Sequence, residues 1–166
     1  MQFTLTSNSP DDTKKIAAAL SDTITNRDVI LLHGDVGAGK TDLTRKTIQT
    51  SMQKNGQFED IPSPTFTLIQ TYELDSIEYV HADLYRLAHP DEIFELGLDN
   101  AFETSACFIE WPDRLGSLTP QHALNIKINI TGEGKRSFVF SWQDAKWDDK
   151  LAAIKSLDLG NHKNDE

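Results

Sequence analysis

Between residues 29 and 54 the chain runs through four aliphatic residues, a glycine-rich octet and a helix, and no other stretch restricts its fold as much. Val29-Ile30-Leu31-Leu32 has no polar alternation, as expected of a strand buried on both faces. Gly34-Asp35-Val36-Gly37-Ala38-Gly39-Lys40-Thr41 follows and fits G-x-x-x-x-G-K-[ST] in full. Residues 41–54 contain no Gly or Pro and set Leu43, Thr47, Ile48 and Met52 on roughly one side, until Asn55-Gly56 ends the helix. A strand feeding a glycine loop at a helix N-terminus makes a cradle for phosphate. The glycines let successive N–H groups turn inward, and the helix end adds a partial positive charge. In such a loop the lysine, Lys40, reaches the β- and γ-phosphates, and the hydroxyl of Thr41 ligates Mg²⁺. Gly34, Asp35, Val36, Gly37, Ala38, Gly39, Lys40, Thr41 and the first-turn Asp42 are therefore candidate nucleotide contacts.

The rest of the chain places this unit in an α/β domain. Residues 2–6 alternate like a short strand, and Ser9-Pro10-Asp11-Asp12 opens a helix whose apolar face is Ile16, Ala17, Leu20 and Ile24. The β-rich runs 65–73 and 77–84, split by Leu74-Asp75-Ser76, predict a hairpin. Pro90-Asp91-Glu92 starts a short helix that Gly97 ends, and 106–110 is a second buried strand stopped by Pro112. Leu124, Ile126, Ile128 and Ile130, then Phe138, Phe140 and Trp142 across Gly132-Glu133-Gly134, predict a hairpin with one buried face. Trp147, Leu151, Ile154 and Leu157 make one stripe of a final helix closed by Gly160. The expected architecture is a single P-loop NTPase-like α/β domain over residues 1–160, with a mixed, mainly parallel sheet, flanking helices and β-hairpin additions. Residues 161–166 are expected to form a polar, frayed tail.

Charge narrows the partners. With 16 Lys plus Arg against 26 Asp plus Glu, the net charge of −10 repels phosphate backbones and anionic lipid. Direct nucleic-acid binding is disfavoured, short of a local basic patch. The apolar stretches at 29–32 and 106–109 are far too short to span a membrane. The lone Cys107 has no internal partner, and the N-terminus lacks a basic then apolar leader, so a reducing cytoplasmic setting is expected.

Phosphate chemistry at such a loop also needs an acidic group at the end of a neighbouring strand. Glu110 closes the strand Ala106-Cys107-Phe108-Ile109-Glu110 and is placed at the carboxyl edge beside the loop; Asp83, in His81-Ala82-Asp83-Leu84-Tyr85-Arg86, ends another. Asp113-Arg114-Leu115-Gly116 spells the D-x-x-G of a GTPase, but past Pro112 and beyond the strand. His33, His81 and His89 have no Cys or His partner at metal-ligand spacing and read as core or surface residues. Trp111 either packs in the core or covers a ligand.

The loop, then Ser63-Pro64-Thr65-Phe66-Thr67-Leu68, His81-x-Asp83-x-Tyr85-Arg86-Leu87 and Ile109-Glu110-Trp111 together resemble the bacterial TsaE (YjeE) family, in order from about residue 9 to about residue 130. The resemblance implies an Mg²⁺-dependent ATPase, cycling between ATP and ADP, needed to make threonylcarbamoyladenosine on tRNA. It implies the TsaD and TsaB proteins as partners, tRNA reached only through them, and no membrane. Carried onto this chain, it makes Lys40, Asp83 and Glu110 the catalytic residues and Thr41 and Glu110 the magnesium ligands. Ser63, Pro64, Thr65 and Thr67 become a switch-like loop sensing the γ-phosphate, and Trp111 a cover for the nucleotide. Arg86 balances phosphate charge or meets a partner, and residues 9–13 lie on the adenine side. One departure is Asp42, where the family usually carries a second hydroxyl. A carboxylate there opposes the α-phosphate, so Asp42→Thr is expected to tighten nucleotide binding unless the side chain turns outward.

Rival readings are a small-molecule P-loop kinase, a GTPase and an ATP-dependent scaffold with little turnover. The five arginines, Arg27, Arg45, Arg86, Arg114 and Arg136, do not cluster into a kinase lid. The guanine-reading N-K-x-D motif has only a near miss in Asn161-His162-Lys163-Asn164-Asp165.

Overall fold

A computed structural model of the protein describes residues 1–159. The tail over 161–166, the closing Gly160 and the near miss at 161–165 lie outside the described residues. Seven strands form one sheet in the order β1-β7-β6-β2-β5-β4-β3. They are β1 (Gln2–Ser7), β2 (Val29–His33), β3 (Ile69–Glu73), β4 (Glu78–Asp83), β5 (Ala106–Glu110), β6 (Leu124–Gly132) and β7 (Lys135–Ser141). The adjacent central strands β6, β2, β5 and β4 run parallel, and the β3–β4 and β6–β7 hairpins and β1 extend the sheet antiparallel.

Strand alternation splits the core into two layers. Ile30 and Leu32 of β2 pack with Phe108, Tyr79 and Ile126 under α1 (Pro10–Thr23) and α2 (Lys40–Lys54), joined by Trp147, Leu151 and Ile154. Val29 and Leu31 pack on the opposite face with Val80, Cys107 and Ile109 under α3 (Glu92–Glu95), α4 (Leu98–Thr104) and the 3₁₀ segment Pro112–Leu118. The Ser9 cap forms as expected: Ser9 Oγ accepts from the Asp12 amide, and Asp12 returns the bond to the Asn8 amide at 2.8 Å.

Several local expectations give way. The run 65–73 is a strand only from Ile69, because Leu68 sits at φ 65° and its amide closes a turn on the Pro64 carbonyl. Gly97 (φ 76°) does end α3, but the chain re-enters α4 at once, a helix too short and too polar to show a period. Ile130 is 54% exposed: it keeps the register of Ile126 and Ile128 but lies opposite Arg136 near the turn of the β6–β7 hairpin. Trp147, Leu151 and Ile154 of the final stripe are buried, but on two short helices, α5 (Lys146–Lys150) and α6 (Ala152–Lys155), that meet at Leu151, and the half-buried Leu157 follows α6.

Asp28 ties α5 to the start of β2. Its carboxylate accepts from Lys150 Nζ (2.5 Å), the Thr25 amide (2.9 Å) and Lys146 Nζ (3.0 Å). Burial pushes this carboxyl up, but those donors outweigh it and hold it below the ordinary 3.8. A group depressed in the folded state stabilises above its unfolded pKa, and that stability is lost as pH falls through the folded value. Asp28→Asn should therefore cost about 1–3 kcal/mol at neutral pH. In urea titrations the gap to the wild type should close below about pH 3; a gap independent of pH would rule out the charge as its source.

Candidate nucleotide site

The glycine loop joins β2 to α2, and two glycines are required by its geometry. At Gly34 (φ 147°) a Cβ would lie 2.6 Å from the Ile128 carbonyl oxygen of β6, so any side chain would push loop and strand apart. Gly39 takes φ 114° at the N-cap of α2, a left-handed turn that aims the first helical amides into the loop. Lys40 is 5% exposed, and its Nζ donates to the Gly34 carbonyl at 2.6 Å while lying 3.6 Å over the Trp111 ring. Burial pushes this ammonium below the ordinary lysine value, opposed by the charges of Glu110, Asp83, Asp35 and Asp113.

The acids arrive by register. Leu32, Glu110 and Asp83 are neighbours across β2, β5 and β4, so both carboxylates leave the carboxyl edge on the face covered by α2. Thr41 Oγ1, in the first turn of α2, lies 2.8 Å from each Glu110 carboxylate oxygen and donates to them. His81 Nε2 lies 2.6 Å from Glu110 Oε2 on the other side. Asp83 accepts from the Tyr85 amide at 3.0 Å and from Thr65 Oγ1 at 3.3 Å, and Thr65 Oγ1 pairs with Ser63 Oγ at 2.7 Å. The loop over 63–67 is thus wired to Asp83.

A groove of about 380 Å³ opens on the far side of the loop, between the N-terminus of α1 and the β6–β7 hairpin. Ser9, Pro10 and Thr13 line it with Gly37 to Gly39, Asp42, Lys46, Gly134 and Arg136. Val36 stands exposed at the tip of the loop.

Not every candidate converges. Thr67 Oγ1 accepts from Gln70 Nε2, away from the acids. Asp42 turns outward, half exposed, with its Oδ2 2.7 Å from Lys46 Nζ. Trp111 does not line the groove; it packs on Lys40 and on Tyr85 at 5.0 Å between ring centroids. Arg86 stacks on the exposed Phe66 ring at 4.6 Å. Two residues to which the sequence reading gave no part in the site lie within it. His81 lies two positions before Asp83 on one strand and so shares its face, a signal that alternation carries. Arg136, whose Nε donates to the Ala38 carbonyl at 3.0 Å, carries no such signal, because only tertiary packing brings β7 to the loop.

A parallel strand, a glycine loop wrapped on a helix N-terminus, a lysine inside it and a strand-end acid on the adjacent strand define a P-loop NTPase-like protein. The family model described as threonylcarbamoyl adenosine biosynthesis protein TsaE matches residues 7–138. The tRNA threonylcarbamoyladenosine biosynthesis protein TsaE of Rickettsia felis is 37% identical over 129 residues, covering 78% of this chain and 74% of that one. The protein of the same name from Bacillus subtilis is 35% identical over 133 residues, 80% of each chain. The crystal structure of Bacillus subtilis YdiB superposes with a TM-score of 0.76 at 28% identity, covering 93% of this chain and 94% of that one. The chain belongs to the TsaE family. Among the described residues no helix is long and apolar enough to cross a membrane.

Proposed function

We propose that this chain is a weak Mg²⁺-dependent ATPase of tRNA threonylcarbamoyladenosine formation, gated by the TsaD and TsaB proteins. The observation that carries the reading is the bond between Thr41 and Glu110 at the foot of a loop that holds Lys40. A hydroxyl with free lone pairs beside a carboxylate is a hard oxygen set of the kind Mg²⁺ accepts, with phosphate oxygens and water completing its shell.

ATP phosphates entering the loop meet the amides at the start of α2. Lys40 then exchanges the Gly34 carbonyl for phosphate oxygens, and the added negative charge offsets the loss of hydration at its ammonium. Thr41 and Glu110 would hold the magnesium ion, which would supply positive charge against the transferring phosphate. Asp83 orients the attacking water and, through Thr65 and Ser63, ties that position to the switch-like loop. ADP would leave this loop with fewer partners than ATP and release the surface that meets the partner proteins. Turnover alone is slow, since Arg86 is stacked on Phe66 and Arg136 is bonded to the loop backbone. The tRNA is handled by the partners, a division consistent with the net charge of −10.

Phosphate release from Mg-ATP, alone and with TsaD and TsaB, tests this, with Lys40→Ala as blank. Stimulation by the partners is expected. Strong turnover indifferent to them would favour a small-molecule kinase, and binding without turnover a scaffold.

Asp42 supplies a finer test. Turned outward and paired with Lys46, it meets the condition under which its charge does not oppose the α-phosphate, so Asp42→Thr should leave ADP affinity nearly unchanged. Lys46→Met should weaken ADP binding about two- to fivefold by unmasking Asp42. Calorimetric titration of both variants checks this; a large gain in Asp42→Thr would show that the carboxylate does face the phosphates.

A further inference from the structure

Glu110 and Lys40 present a physical puzzle. Both are almost wholly buried, they attract each other, and yet Lys40 enters none of the ion pairs among the described residues. A glutamate has three side-chain torsions, and in a poorly hydrated site it would be drawn onto the nearest ammonium. Contact between them would occupy the lysine needed for phosphate and the carboxylate needed for metal.

Two donors hold Glu110 away. Thr41 Oγ1 has one hydrogen for two oxygens, each at 2.8 Å, so it cannot by itself fix how the carboxylate is turned. The second is His81, fully buried on β4, with Nε2 2.6 Å from Glu110 Oε2. A carboxylate only accepts, so Nε2 carries a proton, and Nδ1 has no hydrogen-bond partner among the described residues. A histidine kept for core cohesion would satisfy both nitrogens. This ring satisfies only the nitrogen that meets Glu110.

We infer that His81 is the positioning residue of the acidic site, its Nε2–H holding the Glu110 carboxylate against Thr41 and off Lys40. The inference rests on the magnesium–nucleotide reading above and adds to it the group that keeps the two charges separate before nucleotide arrives. His81 acts only through Glu110; it is not a ligand.

The test is ADP affinity in magnesium and in EDTA for the wild type, His81→Leu and His81→Gln, with a thermal melt of each. Leucine keeps a buried apolar side chain without the donor, and glutamine carries an amide N–H to the place of Nε2. His81→Leu should lose part of its EDTA affinity, because Glu110 then occupies Lys40, and lose in addition about tenfold of the gain that magnesium confers, the scale seen when groups orienting metal ligands are removed. His81→Gln should recover most of that gain. A wild-type gain retained in His81→Leu, equal losses in EDTA and magnesium, or no recovery in His81→Gln would each overturn the role. Should His81→Leu fail to fold, His81→Gln decides alone, because a folded glutamine variant without the gain is incompatible with a donor role. Absence of any magnesium gain in the wild type would instead remove the nucleotide reading, and this inference with it.

Discussion

Lys40→Ala should abolish measurable ATP hydrolysis, by about 10²- to 10³-fold or more if Lys40 meets the charge that develops on the transferring phosphate. In the structure this lysine is committed to the Gly34 carbonyl and the Trp111 face and belongs to neither core layer. The variant should therefore melt close to the wild type while losing function. A second consequence separates loss of the lysine from general damage. The ammonium is the nearby positive charge acting with Glu110 and Asp83, and without it both carboxylates face an incoming phosphate uncompensated. ADP affinity should thus fall in EDTA as well as in magnesium, because the lost attraction is to phosphate. Phosphate-release assays and calorimetric ADP titrations read both effects, and full activity in Lys40→Ala would overturn the assignment of the loop.

How much of this site was legible in the sequence follows from how local each signal is. The strand, the glycine loop and the start of α2 form one contiguous segment whose spacing encodes its geometry, and Lys40 and Thr41 lie where that spacing requires. Glu110 and Asp83 were also legible, because a carboxylate at the end of an apolar strand lies at a sheet edge whatever the strand order. Their adjacency was not, since it depends on β5 and β4 pairing in a register that matches Asp83 with Glu110. The outward turn of Asp42 depends on Lys46 one helical turn on, a pairing open to i,i+4 reasoning but unresolvable against the pull of the helix N-terminus. α4 and the 3₁₀ segment left no trace, for seven residues each are too few to establish a period. The break at Leu151 was equally hidden, because the apolar stripe continues unchanged across it.

Glu110→Gln should stop hydrolysis by a different route, and comparison with Asp83→Asn distinguishes the two acids. Glutamine has nearly the volume of glutamate and keeps one oxygen to accept from Thr41, so packing at this buried position is preserved. Its amide cannot bind a hard cation as a carboxylate does. Magnesium should then no longer strengthen ADP binding, and turnover should fall about 10²- to 10³-fold, while affinity in EDTA stays near the wild-type value because the loop amides and Lys40 are intact. Asp83→Asn leaves Thr41 and Glu110 in place, so magnesium should still strengthen ADP binding even though hydrolysis is lost. Asp83 is bonded to Thr65 and the Tyr85 amide rather than to Thr41. Stability gives an independent check, since replacing a buried carboxylate by a neutral isostere removes a desolvation penalty along with an attraction to Lys40. Because the buried Lys40 loses its largest compensating charge and the new amide cannot accept from both Thr41 and His81 as the carboxylate does, Glu110→Gln should melt somewhat below the wild type. A large drop in its melting temperature would mean that the carboxylate is part of the fold's own stability. A magnesium-dependent gain that survived in Glu110→Gln but vanished in Asp83→Asn would exchange the roles of the two acids, making Asp83 the one that holds the metal.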